Sequence, residues 1–148
     1  MKTVFKIIAL VLAVIIPLIS VPLVAVFSAP EFQDSFVGAL DSKVDRLMNT
    51  EEDKIVIVGG SSVAFGYDSD IIEKYVGMPV VNFGLYAALG TKLMLDLSRE
   101  GIRDGDIVIL APELDSQTLS MYFSAETTLR AFDGSPELYR YIDFFFYS

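Results

Sequence analysis

The stretch Lys54-Ile55-Val56-Ile57-Val58-Gly59-Gly60-Ser61-Ser62 constrains this chain more than any other. Four consecutive β-branched residues predict a strand buried on both faces, the kind found in parallel sheets covered by helices. Two glycines then break the run and deliver two hydroxyls just past the strand's carboxyl end. In open α/β sheets that edge is where ligands bind.

The pattern recurs twice downstream. Pro79-Val80-Val81-Asn82 reads as a second strand, ending in the turn Phe83-Gly84-Leu85, and Ile107-Val108-Ile109-Leu110 as a third, ending at Pro112-Glu113. Between the first two, Asp70-Ile71-Ile72-Glu73 has capping-box spacing, and Gly77 followed by Pro79 stops the helix it opens. Residues 87 to 100 predict a helix with Leu89, Leu93 and Leu97 on one face, closed by Gly101. Strand, helix, strand, helix, strand over 54 to 111 predicts an α/β fold, a three-layer parallel sheet of flavodoxin-like type. Such a sheet carries Ser61, Ser62, Gly84 and Glu113 to one rim. Farther on, Ser124 to Phe132 predicts a helix, and Ser135-Pro136-Glu137 starts another through Tyr141. The run Phe144-Phe145-Phe146-Tyr147 forms an apolar patch unless covered, and a three-stranded sheet has open edges. The expectation is a domain, residues 54–148, that is truncated and continues in further polypeptide.

Upstream, Ile7 to Ala29 contains no charge and, as a helix, spans about 34 Å, enough for a bilayer core. Pro17 and Pro22 are tolerable in such a helix. Residues 1–30 therefore read as a transmembrane anchor or, alternatively, a signal peptide cleaved after Ser28, with Val26 and Ser28 as the small residues. In both cases Lys2 and Lys6 hold the amino end in the cytoplasm, so the body is extracytoplasmic. Residues 31–53 predict a juxtamembrane amphipathic helix and acidic linker. Ser28-Ala29-Pro30-Glu31 has capping spacing, Phe32, Phe36, Leu40, Val44 and Leu47 line one face, and Glu51-Glu52-Asp53 forms a solvated loop.

Charge and composition narrow the chemistry. The net charge is −9, and removing Lys2 and Lys6 leaves nine basic residues against 20 acidic, a balance of −11. Such a body lacks the footprint of a nucleic-acid binder. With no Cys there is neither a disulfide framework nor a thiolate, and with no His the commonest general base is missing. No cofactor or metal is indicated. Gly59-Gly60-Ser61-Ser62-Val63 does not match the G-x-S-x-G elbow, nor is it followed by the Lys of a P-loop. Glycines at 59, 60 and 66 do not form a dinucleotide fingerprint. A serine on such a turn is either a nucleophile flanked by oxyanion-stabilising amides or simply a helix cap.

Gly60-Ser61-Ser62 after a buried first strand resembles block I of the SGNH/GDSL hydrolases, where Gly-Asp-Ser is usual. Val81-Asn82-Phe83-Gly84, with Gly90 beyond, is similar to block II, and Gly105-Asp106-Ile107-Val108-Ile109-Leu110 resembles the strand entering block III. The likeness covers about residues 54 to 115 and is closest to membrane-anchored, exported members acting on acyl groups of envelope or extracellular polymers. It implies Ser62 as nucleophile, with its own N–H and that of Gly84 as oxyanion donors. Ser61, Asn82, Tyr86 and Glu113 are implied pocket residues. Ser61 stands where the family has Asp. Glu113 falls where the family has an Asn donor, and an ionised carboxylate only accepts hydrogen bonds. The family's Asp-x-x-His has no counterpart here.

The expected function is the N-terminal part of a membrane-tethered serine acyl-ester hydrolase or acyltransferase acting on envelope or extracellular carbohydrate, inactive alone for want of a base. The alternative is a non-catalytic exported module binding glycan or a partner protein. A third reading uses the Gly59-Gly60 turn for a nucleotide or phosphate. Asp68 or Asp70 is the only stand-in base that these readings offer, and Tyr86 and Glu113 have structural readings as core and strand-end residues.

Overall fold

The structure, a computed structural model, describes residues 2–27, 30–113 and 124–142. The chain divides into two units, residues 1–30 and 31–148. The first is a single helix, α1 (Lys2–Phe27), containing Pro17 and Pro22. It is long and apolar enough over Lys2–Val24 to cross a membrane. Over that span its side chains are exposed, apart from the half-buried Ser20.

The second unit is mixed α/β. Three strands, β1 (Ile55–Gly59), β2 (Val80–Gly84) and β3 (Ile107–Ala111), form a parallel sheet in the order β2-β1-β3. Ile55 lies opposite Val80 and Ile107, and Gly59 opposite Gly84 and Ala111, so all three carboxyl ends come level. Between β1 and β2 run α3 (Ser61–Gly66) and α4 (Ser69–Val76). Between β2 and β3 come a 3₁₀ turn, Ala87–Leu89, and α5 (Thr91–Arg99).

Alternation along the strands sorts side chains between two cores. Val56, Val58, Val81 and Phe83 meet the apolar faces of α5 (Leu93, Met94, Leu97) and of α2 (Leu40–Asn49; Leu40, Val44, Leu47). Helix α6 (Ala125–Ala131) and a 3₁₀ segment, Pro136–Tyr141, close the same core through Phe132 and Leu138. On the other face, Ile55, Ile57 and Val80 pack with Val63 of α3, Ile72 and Met78. The two crossovers thus lie on opposite faces while the strand order reverses direction, which gives both the same hand, as expected for parallel connections in one sheet.

A buried ion pair fixes the entry end of the sheet. Lys54 Nζ lies 2.9 Å from Asp106 Oδ2, with both side chains fully buried. The same carboxylate accepts the Lys54 N–H at 3.0 Å and the Arg103 N–H at 2.9 Å. Burial alone works against the charge on Asp106. The hydrogen bonds from the Lys54 side chain and from the Arg103 and Lys54 amides outweigh it and hold the carboxyl below its ordinary range.

Several local expectations are revised. Residues 31–39 form turns, not the first part of a helix, and α2 starts at Leu40. Local and distant acceptors explain this: Asp133 takes the Glu31 N–H, Ser35 Oγ donates to Phe32 O, and Gly38 N–H donates to Ser35 Oγ. The capping box at Ser28 falls outside the described residues. The helix expected over 87–100 is interrupted at Gly90, whose φ of 79° only glycine adopts readily. Helix α4 is capped by Asp68, whose Oδ1 accepts the Ile71 N–H at 3.2 Å, and not by Asp70. The segment from Ser135 is a 3₁₀ helix. The aromatic run 144–147 lies outside the described residues. Most notably, most of β3 is not buried: the side chains of Ile107, Val108, Ile109 and Leu110 are exposed, and Ala111 alone of the strand packs against the second core.

Candidate functional site

Because the strand ends are level, β1, β2 and β3 deliver their following turns to one rim. Gly60 is the N-cap of α3 in an extended conformation, with no side-chain cap. The serine hydroxyl is therefore not used to cap this helix, as the plain turn reading required. Ser61 Oγ instead donates to Glu113 Oε1 at 3.1 Å, and the Ser62 N–H donates to the same oxygen at 2.9 Å. The Ser62 amide bond is the first cause holding the Glu113 carboxyl below its ordinary value. Burial opposes it, and the Ser61 and Ser62 hydroxyls reinforce it. Glu113, reached 51 residues after Ser62, thus joins the end of β3 to the turn after β1.

The glycines here are spaces that neighbours fill. A β-carbon on Gly60 would overlap the Glu113 carboxylate, and one on Gly84 would overlap the backbone of Ala64. The second overlap locates Gly84 against the first turn of α3, on the same side of the sheet as Ser62. Asn82 ties the two elements: its Nδ2 donates to Val63 O at 2.9 Å, and its Oδ1 accepts the Gly84 N–H at 3.0 Å. Ser61, Ser62, Asn82, Gly84 and Glu113 are thereby gathered at one rim. The two amides implied as oxyanion donors already have internal acceptors, Glu113 for Ser62 and Asn82 for Gly84.

Beside the turn lies a cavity of about 90 Å³, mostly apolar, with Gly60 and Glu113 in its wall and Val58, Met94 and Leu110 beneath. Ser62 itself is exposed. Tyr86, 42 % exposed, stands edge-on to Phe36 with ring centroids 6.2 Å apart, and Phe36 meets Phe65 at 4.7 Å. Phe65, 73 % exposed, is three residues beyond Ser62 on α3 and so shares its face. Sequence reasoning missed this aromatic group, although the Ser62-to-Phe65 spacing on a short helix was a usable signal. Asp68 is occupied as the cap of α4. Among the described residues, no three His, Cys, Asp or Glu side chains gather as a metal site.

Comparison with known proteins matched no family model, no curated protein and no solved structure.

Proposed function

We propose that residues 54–148 are the N-terminal part of an SGNH/GDSL-type serine acyl-ester hydrolase or acyltransferase, tethered by α1 with its body outside the membrane. Its substrate is an acylated carbohydrate of the envelope or extracellular matrix. The observation that carries the reading is an exposed Ser62 just past the carboxyl end of the first parallel strand, on the short helix whose Ala64 backbone lies against Gly84. Such an edge is where α/β folds place chemistry. The apolar cavity next to Gly60 suits a small acyl group, and α1, with Lys2 and Lys6 at its start and no charge from Ile7 onward, suits an anchor.

In this role Ser62 Oγ would attack the acyl carbon, and the resulting oxyanion would call on the Ser62 and Gly84 amides. Glu113 now holds the first of these, so its carboxylate must swing aside before an oxyanion can take its place. A serine hydroxyl without a base is a poor nucleophile near neutral pH, and losing one triad member costs about 10⁴-fold or more in rate. The chain contains no histidine. The chain alone is therefore inactive.

External imidazole tests the reading by supplying the missing base. With an acetyl ester, the chain alone turns over no faster than Ser62→Ala. Added imidazole raises the wild-type rate above the Ser62→Ala background. Equal rates for both proteins at every imidazole concentration would end the assignment of Ser62. The missing histidine, together with the exposed Phe65 and Tyr86, favours a second reading, a non-catalytic module that binds glycan or a partner protein. A glycan-binding signal lost in Phe65→Ala but retained in Ser62→Ala would favour it.

A further inference from the structure

Three aromatic rings from separate parts of the chain meet beside Ser62. Phe65 follows it by three residues on α3, a spacing that sets β-carbons about 5–6 Å apart on one helix face. Tyr86 follows Gly84 by two residues, past the end of β2. Phe36, from the turns before α2, touches both. Its ring is tilted against Phe65 at 4.7 Å and stands edge-on to Tyr86 at 6.2 Å. Phe36 is half-buried, whereas Phe65 and Tyr86 keep much of their surface open.

The backing ring is held in place. Asp133 Oδ2 accepts the N–H groups of Glu31 and Phe32, and the Ser35 hydroxyl donates to Phe32 O and accepts the Gly38 N–H. The Arg130 guanidinium lies 5.1 Å over the Phe32 ring. A segment that reads in the sequence as juxtamembrane is thus fastened to the body. A surface formed in advance loses less entropy when a ligand settles on it.

The rings also belong to the closed side of the sheet. Along the outer edge of β2, Val80 N–H donates to Glu73 Oε1 at 2.8 Å, Arg46 Nη2 donates to Val80 O at 3.1 Å, and Lys43 Nζ donates to Asn82 O at 3.0 Å. An edge closed by side chains in this way does not take another strand. Further strands of the proposed domain therefore add beyond β3, on the other side of β1 from β2 and Tyr86.

Ring chemistry indicates what such a surface suits. An aliphatic patch offers only area, whereas an aromatic face carries partial negative charge that attracts polarised C–H bonds, and tyrosine adds a hydroxyl. The C–H face of a pyranose ring, rimmed by hydroxyls, matches both. Gly60 and Glu113 wall the cavity that suits the acyl group, and Phe65 and Tyr86 stand outside it. They are left to the alcohol portion of the ester.

We propose that Phe65 and Tyr86, backed by Phe36, form the subsite for the sugar ring that carries the ester. The proposal rests on the reading of Ser62 as nucleophile and names the side chains that select a carbohydrate alcohol.

The test uses the full chain in lipid nanodiscs with imidazole as base and two acetyl esters, O-acetylated cellotetraose and glycerol triacetate, which has no ring. Phe65→Ala lowers the ratio of kcat/KM for the tetrasaccharide to that for the triacetate by about tenfold, chiefly through KM, and Phe65→Tyr restores it. Unacetylated cellotetraose, titrated into the same protein, shifts the NMR signals of the Phe65 and Tyr86 rings. Ser62-dependent turnover with an unchanged ratio and unshifted rings overturns the subsite and leaves the nucleophile standing. Shifted rings without Ser62-dependent turnover of either ester retire the nucleophile, and with it the subsite, in favour of a sugar-binding module.

Discussion

A methyl group at position 60 meets the carboxylate of Glu113, whereas one at position 84 meets the main chain of Ala64. The first obstacle is the end of a flexible side chain and can move; the second cannot. Gly84→Ala is therefore expected to cost about 1–3 kcal/mol by overpacking, and Gly60→Ala less, in urea unfolding. The reverse ranking would show that Gly84 does not sit where it touches α3. Glu113 carries its own pH signature. Its carboxyl lies below the ordinary value because the charged form accepts bonds from Ser62 and Ser61. That stabilisation is present above the unfolded carboxyl pKa, about 4.3, and is lost as pH falls through the lower folded value. A carbon-13 NMR titration of Glu113 should give a midpoint below 4.3, with the Ser62 amide shift moving in step, and a midpoint above it would remove the bond from the account. Ser62 and Gly84 were legible as a pair from the glycine-punctuated strand ends. The hold of Glu113 on Ser62 was not, because it joins positions 51 apart through a side-chain rotamer that no local pattern encodes.

At the scale of elements, the strands were readable because a β-branched run has few alternatives, and their parallel sense followed from the helical crossovers between them. The order β2-β1-β3, by contrast, comes from the structure. The burial of β3 was misjudged for a physical reason. An aliphatic run states what a strand tolerates, whereas exposure depends on what lies beside it. The 31–39 segment was misread because its polar groups are satisfied by Asp133 and Ser35 instead of by a helical ladder. The Lys54–Asp106 pair was likewise hidden, since charges flanking apolar runs usually face water. Removing one partner of a buried pair leaves an uncompensated charge, so Asp106→Asn should cost about 3–5 kcal/mol. Because the Asp106 carboxyl is held low, the loss should be largest above the ordinary carboxyl range. It should shrink as pH falls through the folded pKa, where wild type itself loses the contribution. Urea midpoints for both proteins between about pH 6 and 2 check this, and a gap independent of pH would mean the pair is not ionised. On the other edge, Glu73→Ala leaves Val80 N–H without its acceptor, and its exchange should speed by about tenfold.

For the whole molecule, one membrane-length apolar helix precedes an acidic α/β unit that carries a hydroxyl, two neighbouring amides and an apolar cavity on one rim, without a histidine. Its central claim is that Ser62 is a nucleophile awaiting a base. The most direct measurement treats the full chain with a fluorophosphonate in the presence of imidazole and maps the adduct by peptide mass spectrometry. In that reaction Ser62 Oγ displaces fluoride from phosphorus while imidazole takes the hydroxyl proton. The account predicts an imidazole-dependent adduct on Ser62, none on Ser61, and none in Ser62→Ala. An unlabelled Ser62, or a label spread equally over Ser61 and other exposed serines, would contradict it.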